Sequence, residues 1–331
     1  MLKRKFSLVL SLVLLTVFLM SGTLYANTEL IASHVLGPDH HYQYAFEVMR
    51  DIIEVRTDGE ITMTIHHSAS LYEEEEALEA LQAGVIDITT VSAAPMTGFV
   101  SEYMAADLPF QFDSIYDAYE FFDGEIGDLL FEKSAEVGII GLSWWDNGFR
   151  NLTNSVRQIT SPDDMQGLTI RTMYSPPHMA TMEALGASAT PIAFGELYSA
   201  LESGVVDGQE NPVANIHEMH FYEVQDYLTI SRHFYDPSPT FISEHTWNDL
   251  SEEHQEIVRE ASIIARDYMR SLANRRENAL LDDMRDEIDV YVLSDDEMAA
   301  FREATAEVAF EFEDEIGADF LDQWLDALEQ L

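Results

Sequence analysis

The sequence predicts an α/β fold long enough for two layered domains. Helix and strand patterns alternate along the chain, and one helix–glycine–strand unit recurs at a fixed offset. A content of 47% hydrophobic and 11% aromatic residues supplies packed cores rather than a disordered acidic chain. Residues 41–57 place Ala45, Val48, Met49, Ile52 and Val55 on one helical face, and Asp58-Gly59 stops that helix. Ile61, Met63 and Ile65 then alternate with Thr62 and Thr64, the period of a half-buried strand. A helix over 73–83 ends at Gly84, and 85–88 reads as the next strand, so the alternation implies a largely parallel sheet. From Ser251 onward the pattern is mostly helical, and Ser294 with Glu297 forms a capping box that opens one of the last helices.

The recurring unit is EALEALQAGVIDI at 76–88 and ELYSALESGVVDG at 196–208, identical at six of thirteen positions, enough to align the two glycines. Gly84 and Gly204 stand where the turn after a helix favours a left-handed backbone. Helix–Gly–strand is common in α/β proteins, so coincidence stands beside a second explanation, matching elements in two similar domains. Under the second, the chain is a two-lobed clamp with a ligand cleft between its lobes.

Lys3, Arg4 and Lys5 precede an apolar run over 6–20, and Leu24-Tyr25-Ala26 offers a small residue before Asn27. That is the layout of a secretory signal peptide over 1–26, with an uncleaved membrane anchor as the alternative. Cleavage makes the protein exported, expected in the periplasm, and not anchored directly in the membrane. No cysteine occurs, which excludes disulfides, thiolate metal sites and a lipidated cysteine. Loss of 1–26 removes three basic residues and no acidic ones, taking the formal charge from -44 to -47. Such a surface repels nucleic acid and anionic lipid. Its self-repulsion fades at about 1 M salt, where the screening length is about 3 Å, and this points to a salt-loving host.

After residue 26 the chain holds thirteen Arg and one Lys, Lys133, so a cation standing apart from acids is informative. Seven of the Arg lie between positions 259 and 302, in the helical tail, where neighbouring Glu and Asp can pair with them. Arg150 follows an apolar strand, and Arg171 ends the strand Leu168-Thr169-Ile170-Arg171, just before Tyr174-Ser175-Pro176-Pro177. Strand ends facing a cleft are where α/β proteins present ligand groups, and the guanidinium fork matches a carboxylate. An internal ion pair is the competing role for either residue.

The stretch Trp145-Asp146-Asn147-Gly148-Phe149-Arg150-Asn151-Leu152-Thr153-Asn154 resembles the WDNGFR-x-LTN segment of substrate-binding subunits of TRAP transporters, the family named for C4-dicarboxylate uptake. The likeness continues through Asp107-Leu108-Pro109-Phe110, Gly167-Leu168-Thr169-Ile170-Arg171, Pro191-Ile192-Ala193-Phe194-Gly195-Glu196-Leu197-Tyr198 and Val205-Val206-Asp207-Gly208-Gln209-Glu210-Asn211-Pro212, in the expected order. The resemblance implies an α/β, two-domain type II periplasmic-binding-protein (clamshell) fold with long helices in the C-terminal part. It implies a binding protein, without catalysis or cofactor, that captures a small organic carboxylate, either a dicarboxylate or a sugar acid such as a uronate. TRAP membrane subunits would receive that ligand. Arg171 would make the central bidentate salt bridge to the carboxylate, Arg150 a second cationic contact, and Asn211 a hydrogen bond to the same group. Phe194 would wall the pocket, with Tyr174 and Trp145 shaping its far side. Residues 27–150 would form the core of domain I, 151–235 that of domain II, and 236–331 a returning segment with C-terminal helices packed across both.

Two family features differ here. His40-His41 stands where the family often has His-Pro, and Leu71-Tyr72-Glu73-Glu74 replaces a Leu-Gly-x-Glu turn. Both lie in the first domain, which reads the rest of the ligand. His34 and one acid of the run Glu73, Glu74, Glu75 and Glu76, with Glu73 at its head, are candidates to hydrogen-bond sugar-acid hydroxyls. A solvated helix start is the other role for that run. Ser92 and Met96 are further candidate contacts. The alternative ligand is a zwitterionic compatible solute of the ectoine type, whose ring needs an aromatic box and whose cationic end needs a carboxylate. Trp145, Phe194 and the acidic run are available for those roles. An exported enzyme is the rival class, but no H-E-x-x-H, nucleophile elbow, phosphate loop or dinucleotide fingerprint occurs. His217, Glu218 and His220 fit a surface or packing role better than a metal site.

Overall fold

The computed structural model describes residues 28–331, so the expected signal segment 1–26 lies outside the described residues. Nine strands form one sheet: β1 (Thr28–Ser33), β2 (Ile61–His66), β3 (Ile88–Thr90), β4 (Ile139–Asn154), β5 (Thr169–Thr172), β6 (Ser188–Pro191), β7 (Gly208–Pro212), β8 (Tyr227–Ser243) and β9 (Asp289–Val292). Their order is β2-β1-β3-β8-β4-β7-β5-β6, with β9 on β8. The outer strands are parallel, as the alternation predicts: β2-β1-β3 in one lobe, β6-β5-β7 in the other.

The centre corrects the expectation of a largely parallel sheet. β4 and β8 are 16 and 17 residues long and run antiparallel to one another. One end of this ribbon pairs with β3, and the other with β7 and β9. At about 3.3 Å per residue each strand exceeds 50 Å, so both lobes share a single pair of strands. Register shifts fall at Gly141/Ser143, Asp146/Gly148 and Arg150/Leu152. Bulges of this kind bend and twist a ribbon, and the last two sit where the lobes meet.

The internal repeat is reproduced bond for bond. The helix Glu74–Gln82 and the helix Leu197–Glu202 both end in a glycine at φ +69°, Gly84 and Gly204. Val85 N–H donates to Ala80 O at 2.8 Å, and Val205 N–H to Ala200 O at 2.9 Å, the six-to-one bond of a Schellman cap. Asp87 Oδ2 then accepts from Ile31 N–H at 2.7 Å and Asp207 Oδ2 from Thr169 N–H at 2.8 Å, tying each turn to the first strand of its own lobe. The cap occupies 83–87, so β3 starts at Ile88 rather than at Val85, which is 56% exposed.

The helix predicted over 41–57 spans His41–Arg56, and Glu297 closes the capping box at Ser294. The tail is helical apart from β9. Its long helix, Glu252–Met284, buries Val258, Ala261, Ser262, Ala265 and Met269, one stripe at three- and four-residue spacing. That stripe packs on His41–Arg56 and β4, and further along the helix touches Val213–Glu218 of the other lobe. The helix is therefore a strap across both lobes. Among the described residues no helix is long and apolar enough to cross a membrane.

Candidate functional site

Between the lobes, helix starts and strand ends converge, as they do in open α/β sheets. An outer compartment of about 630 Å³ is lined from the first lobe by Glu73, Glu74, Glu75, Glu76 and Pro95. From the second lobe come Arg171, Met173, Tyr174, Ile192, Ala193 and Phe194. Behind it lies a narrower recess bordered by Tyr42, Ser92, Asn147, Arg150, Asn211 and Asn215, with Val35 and Leu36. Glu74, Met173 and Phe194 face both spaces.

Arg171 sits on β5 and is 2% exposed. Its Nε–H donates to the carbonyl of Ile192 at 2.8 Å, which orients the guanidinium. Its Nη1 is buried without a hydrogen-bond partner, and no acid lies within ion-pair distance among the described residues. Burial, with Arg150 nearby, pulls its pKa down to about 10, so it remains a cation at neutral pH. A desolvated guanidinium without a counter-charge has unmet capacity to pair with an anion.

Arg150 is equally buried and differently used. Its Nε and Nη2 grip both oxygens of Glu210, Nη2 also donates to the Glu210 carbonyl at 2.7 Å, and Nη1 donates to Asp236 at 2.6 Å. Of five guanidinium hydrogens, one on Nη1 is left. Burial alone would lower its pKa, but Glu210 and Asp236 outweigh this and raise it. The same cation holds Glu210 below the usual carboxylate range against burial, with His233 3.7 Å away. Arg150 thus borders the recess with its charge already balanced. The internal ion pair raised as the competing role is present, as a cluster with Glu210 and Asp236, and one N–H of Arg150 remains open at the recess.

Asn211 lies in the recess within an amide chain. It donates to Gln209 Oε1 at 2.5 Å and accepts from Asn215 at 3.2 Å, and Asn215 also donates to Asn147 Oδ1 at 3.2 Å. His40 Nε2 lies 3.1 Å from Asn215 Oδ1, joining the first lobe to this chain. Ser92 borders the same recess, its Oγ donating to Asp236 at 3.0 Å and its N–H to Glu74 at 2.8 Å. Phe194 walls both compartments, and Tyr174 stands half exposed at the outer rim.

Of the acidic run, Glu73 caps the helix Glu74–Gln82 and reaches across the cleft to Gly195 N–H at 3.4 Å. Glu74 is the member that faces both compartments. Surface area leaves it only half buried, but its carboxyl end points inward, and burial pushes its pKa up to about 7 against the lowering effect of the Ser92 N–H. A carboxyl poised there both donates and accepts, which suits hydroxyl groups. The four-residue acidic run does not show which member turns inward; helix phase and the Ser92 bond decide it.

Three expected contacts fall elsewhere. Trp145 is fully buried in the core against Phe46 and Tyr42, with its indole N–H donating to Ser143 and Ser262. His34 stacks on Phe46 at 5.5 Å and pairs with Gln43 at 3.1 Å, its pKa pushed down to about 4 by burial. Strand β1 ends at Ser33, and Val35 and Leu36, not His34, border the recess. Met96 is a core residue. Asn147, Asn215, Tyr42, Met173 and Pro95 border the site without having been singled out. Asn147 lay inside the recognised WDNGFR stretch, and that was its only signal. His217 and His220 pair with Asp283 at 4.0 Å and Glu223 at 3.2 Å, respectively, and no metal-binding group of three exists among the described residues.

Among the described residues the cleft therefore holds one buried cation without a counter-charge, facing an acidic wall. Comparison with known proteins bears on this layout. The family described as bacterial extracellular solute-binding protein, family 7 (DctP) matches residues 32–315. The chain is 32% identical over 290 residues to the C4-dicarboxylate-binding periplasmic protein DctP of Rhodobacter capsulatus, covering 87% of each. It is 34% identical over 283 residues to an uncharacterised protein, y4mM, of Sinorhizobium fredii, covering 86% of this chain and about half (52%) of that protein. Among solved structures, the sugar acid binding protein DctPAm from Advenella mimigardefordensis, in complex with galactonate, superposes with a TM-score of 0.89 at 31% identity, covering 91% of this chain and 98% of that one. With the two-lobed fold and the cleft in place, the match over 32–315 identifies the chain as a member of the family 7 extracellular solute-binding proteins, the DctP-type binding subunits of TRAP transporters.

Proposed function

We propose that this protein, exported by its segment 1–26, captures a polyhydroxylated monocarboxylate of the sugar-acid type and hands it to TRAP membrane subunits. The observation that carries the reading is Arg171, a buried guanidinium anchored by Ile192 O with Nη1 unpartnered. Its open edge is where a ligand carboxylate docks, with Asn211 and the remaining Arg150 hydrogen behind it. Phe194 supports the apolar face of the carbon chain. Hydroxyls further along the ligand meet Glu74 and Glu73. The lobes hinge near residues 150 and 235.

The distribution of charge supports a sugar acid over a C4-dicarboxylate. A second ligand carboxylate would meet the acidic run, because Arg150 is already balanced by Glu210 and Asp236. The galactonate complex of the DctPAm relative is in keeping with this. A zwitterionic compatible solute also suits an acidic wall, but its aromatic box would rest on Phe194 and Tyr174 alone, Trp145 being in the core.

The test is a calorimetric panel of galactonate, glucuronate, erythronate, succinate and ectoine. At least one sugar acid should bind about tenfold or more tightly than succinate and ectoine, a margin of about 1.4 kcal/mol. Equal or tighter succinate binding would overturn the sugar-acid reading. Loss of all binding in the intact protein would overturn the carboxylate site itself.

A further inference from the structure

A separate cavity opens at the junction of the two lobes, lined in part by residues of the β4/β8 ribbon. It measures about 880 Å³ and opens where β4 slips register between Asp146 and Gly148. First-lobe residues 113–116, second-lobe residues 212–214 and the strap helix at 273–280 close it. Asn147 borders both this cavity and the recess near Arg150.

Its polar groups sort into those already spent and those left over. Arg276 is spent on Glu218 at 3.2 Å and the Asp39 carbonyl at 3.1 Å, and Asp113 on Arg302 at 2.6 Å. Arg232 is not. Its guanidinium has no hydrogen bond or ion pair among the described residues, and it lies 5.9 Å over the Phe149 ring. Two acids also remain open. Glu277 has no side-chain partner among the described residues, and Asp146 is 1% exposed with Oδ2 accepting from Tyr119 at 2.7 Å while Oδ1 has none. Burial pushes the Asp146 carboxyl up to about 6 against the lowering effects of Tyr119, Arg270 and Tyr235, with a smaller upward push from Glu277. The apolar part of the lining is supplied by Ile115, Tyr116, Phe149, Val213 and Leu280.

We propose that this hinge-face cavity is a second small-molecule site, one that takes a zwitterion with an apolar body, of the kind an aromatic or branched α-amino acid represents. The carboxylate pairs with Arg232, the ammonium with Asp146 and Glu277, and the side chain packs among the apolar walls. Ligand sites combine a few convergent polar groups with apolar lining in this way. Because the cavity touches both lobes and the strap, a bound molecule also bears on hinge motion. By linkage, any effect on the cleft is returned equally by the cleft ligand.

The experiment titrates the intact protein with L-phenylalanine, and separately with phenylacetate and 2-phenylethylamine, which each lack one charge. Calorimetry or ligand-observed NMR supplies the readout, on the wild type and on Arg171→Ala, Arg232→Ala and Glu277→Gln. Support is saturable phenylalanine binding that persists in Arg171→Ala and weakens about tenfold in Arg232→Ala, with both singly charged probes about tenfold weaker than phenylalanine. Three results overturn the proposal. Phenylalanine does not bind. It binds but is lost in Arg171→Ala and untouched in Arg232→Ala, which assigns it to the cleft. Or phenylacetate binds as tightly, which removes the zwitterion. None of these depends on which solute the cleft takes.

Discussion

Two buried arginines, some twenty residues apart in sequence, live in opposite electrostatic regimes. Arg150, on the shared ribbon, is enclosed by Glu210 and Asp236 and holds the hinge together. Arg171, on the second lobe's own strand, keeps a carbonyl for orientation and presents the rest of its fork to the cleft. Both are almost fully covered, at 1% and 2% exposure, so burial does not separate the paired cation from the one proposed to bind ligand. What separates them is whether the protein supplies the counter-charge. A buried pair costs dearly when one partner is removed, whereas a buried lone cation is already a cost to the unliganded protein.

The sharpest way to break this contrast is Arg150→Met. It leaves two buried carboxylates without a cation, and should cost about 3–5 kcal/mol of folding stability by urea unfolding. Unchanged stability would mean the cluster is not structural. Arg171→Ala should do the reverse. Affinity for the best ligand of the panel falls about a hundredfold or more by calorimetry, while unliganded stability does not fall. Arg171→Lys should also bind poorly, because a point charge lacks the fork.

Glu74→Gln gives a smaller effect with a defined sign. Burial raises the folded pKa of Glu74 from 4.5 to about 7. The folded state therefore binds a proton that the unfolded chain has released, a stabilisation fully present below about pH 4.5 and lost as pH rises through about 7. The variant should lower the slope of stability against pH in that window by up to about one proton. Asp146 and Glu218, with pKa values raised to about 6 and about 8, keep part of the slope in place. The smallest effect is kinetic. An anion approaching a chain of formal charge -44 is repelled at long range, so stopped-flow association should quicken severalfold from low to moderate salt. A steep monotonic slowing would contradict it.

Much of the layout was legible because it is local. The recurrence at 76–88 and 196–208 pointed to two glycine caps of the same left-handed kind, since a Schellman turn is specified within six residues, but not to the bonds that tie Asp87 and Asp207 to strands 56 and 38 positions away. The long shared ribbon was not legible as a crossover, because strand period says nothing of a partner's direction. Trp145 misled for a related reason. It lies in the recognised stretch but on the face of β4 that meets Phe46, and bulges on either side of a residue scramble simple alternation.

By itself, then, the sequence determined the α/β alternation, the doubled cap, the family, and the candidacy of the few arginines outside the acidic tail. Only the tertiary structure decided which arginine is left without a counter-charge, which glutamate turns inward, and that a second cavity opens between the lobes and the long C-terminal helix. The physical reason is range. Backbone turns and helix caps are settled by neighbours a few residues away, but neutralising a guanidinium takes carboxylates brought from 60 and 86 positions further along the chain.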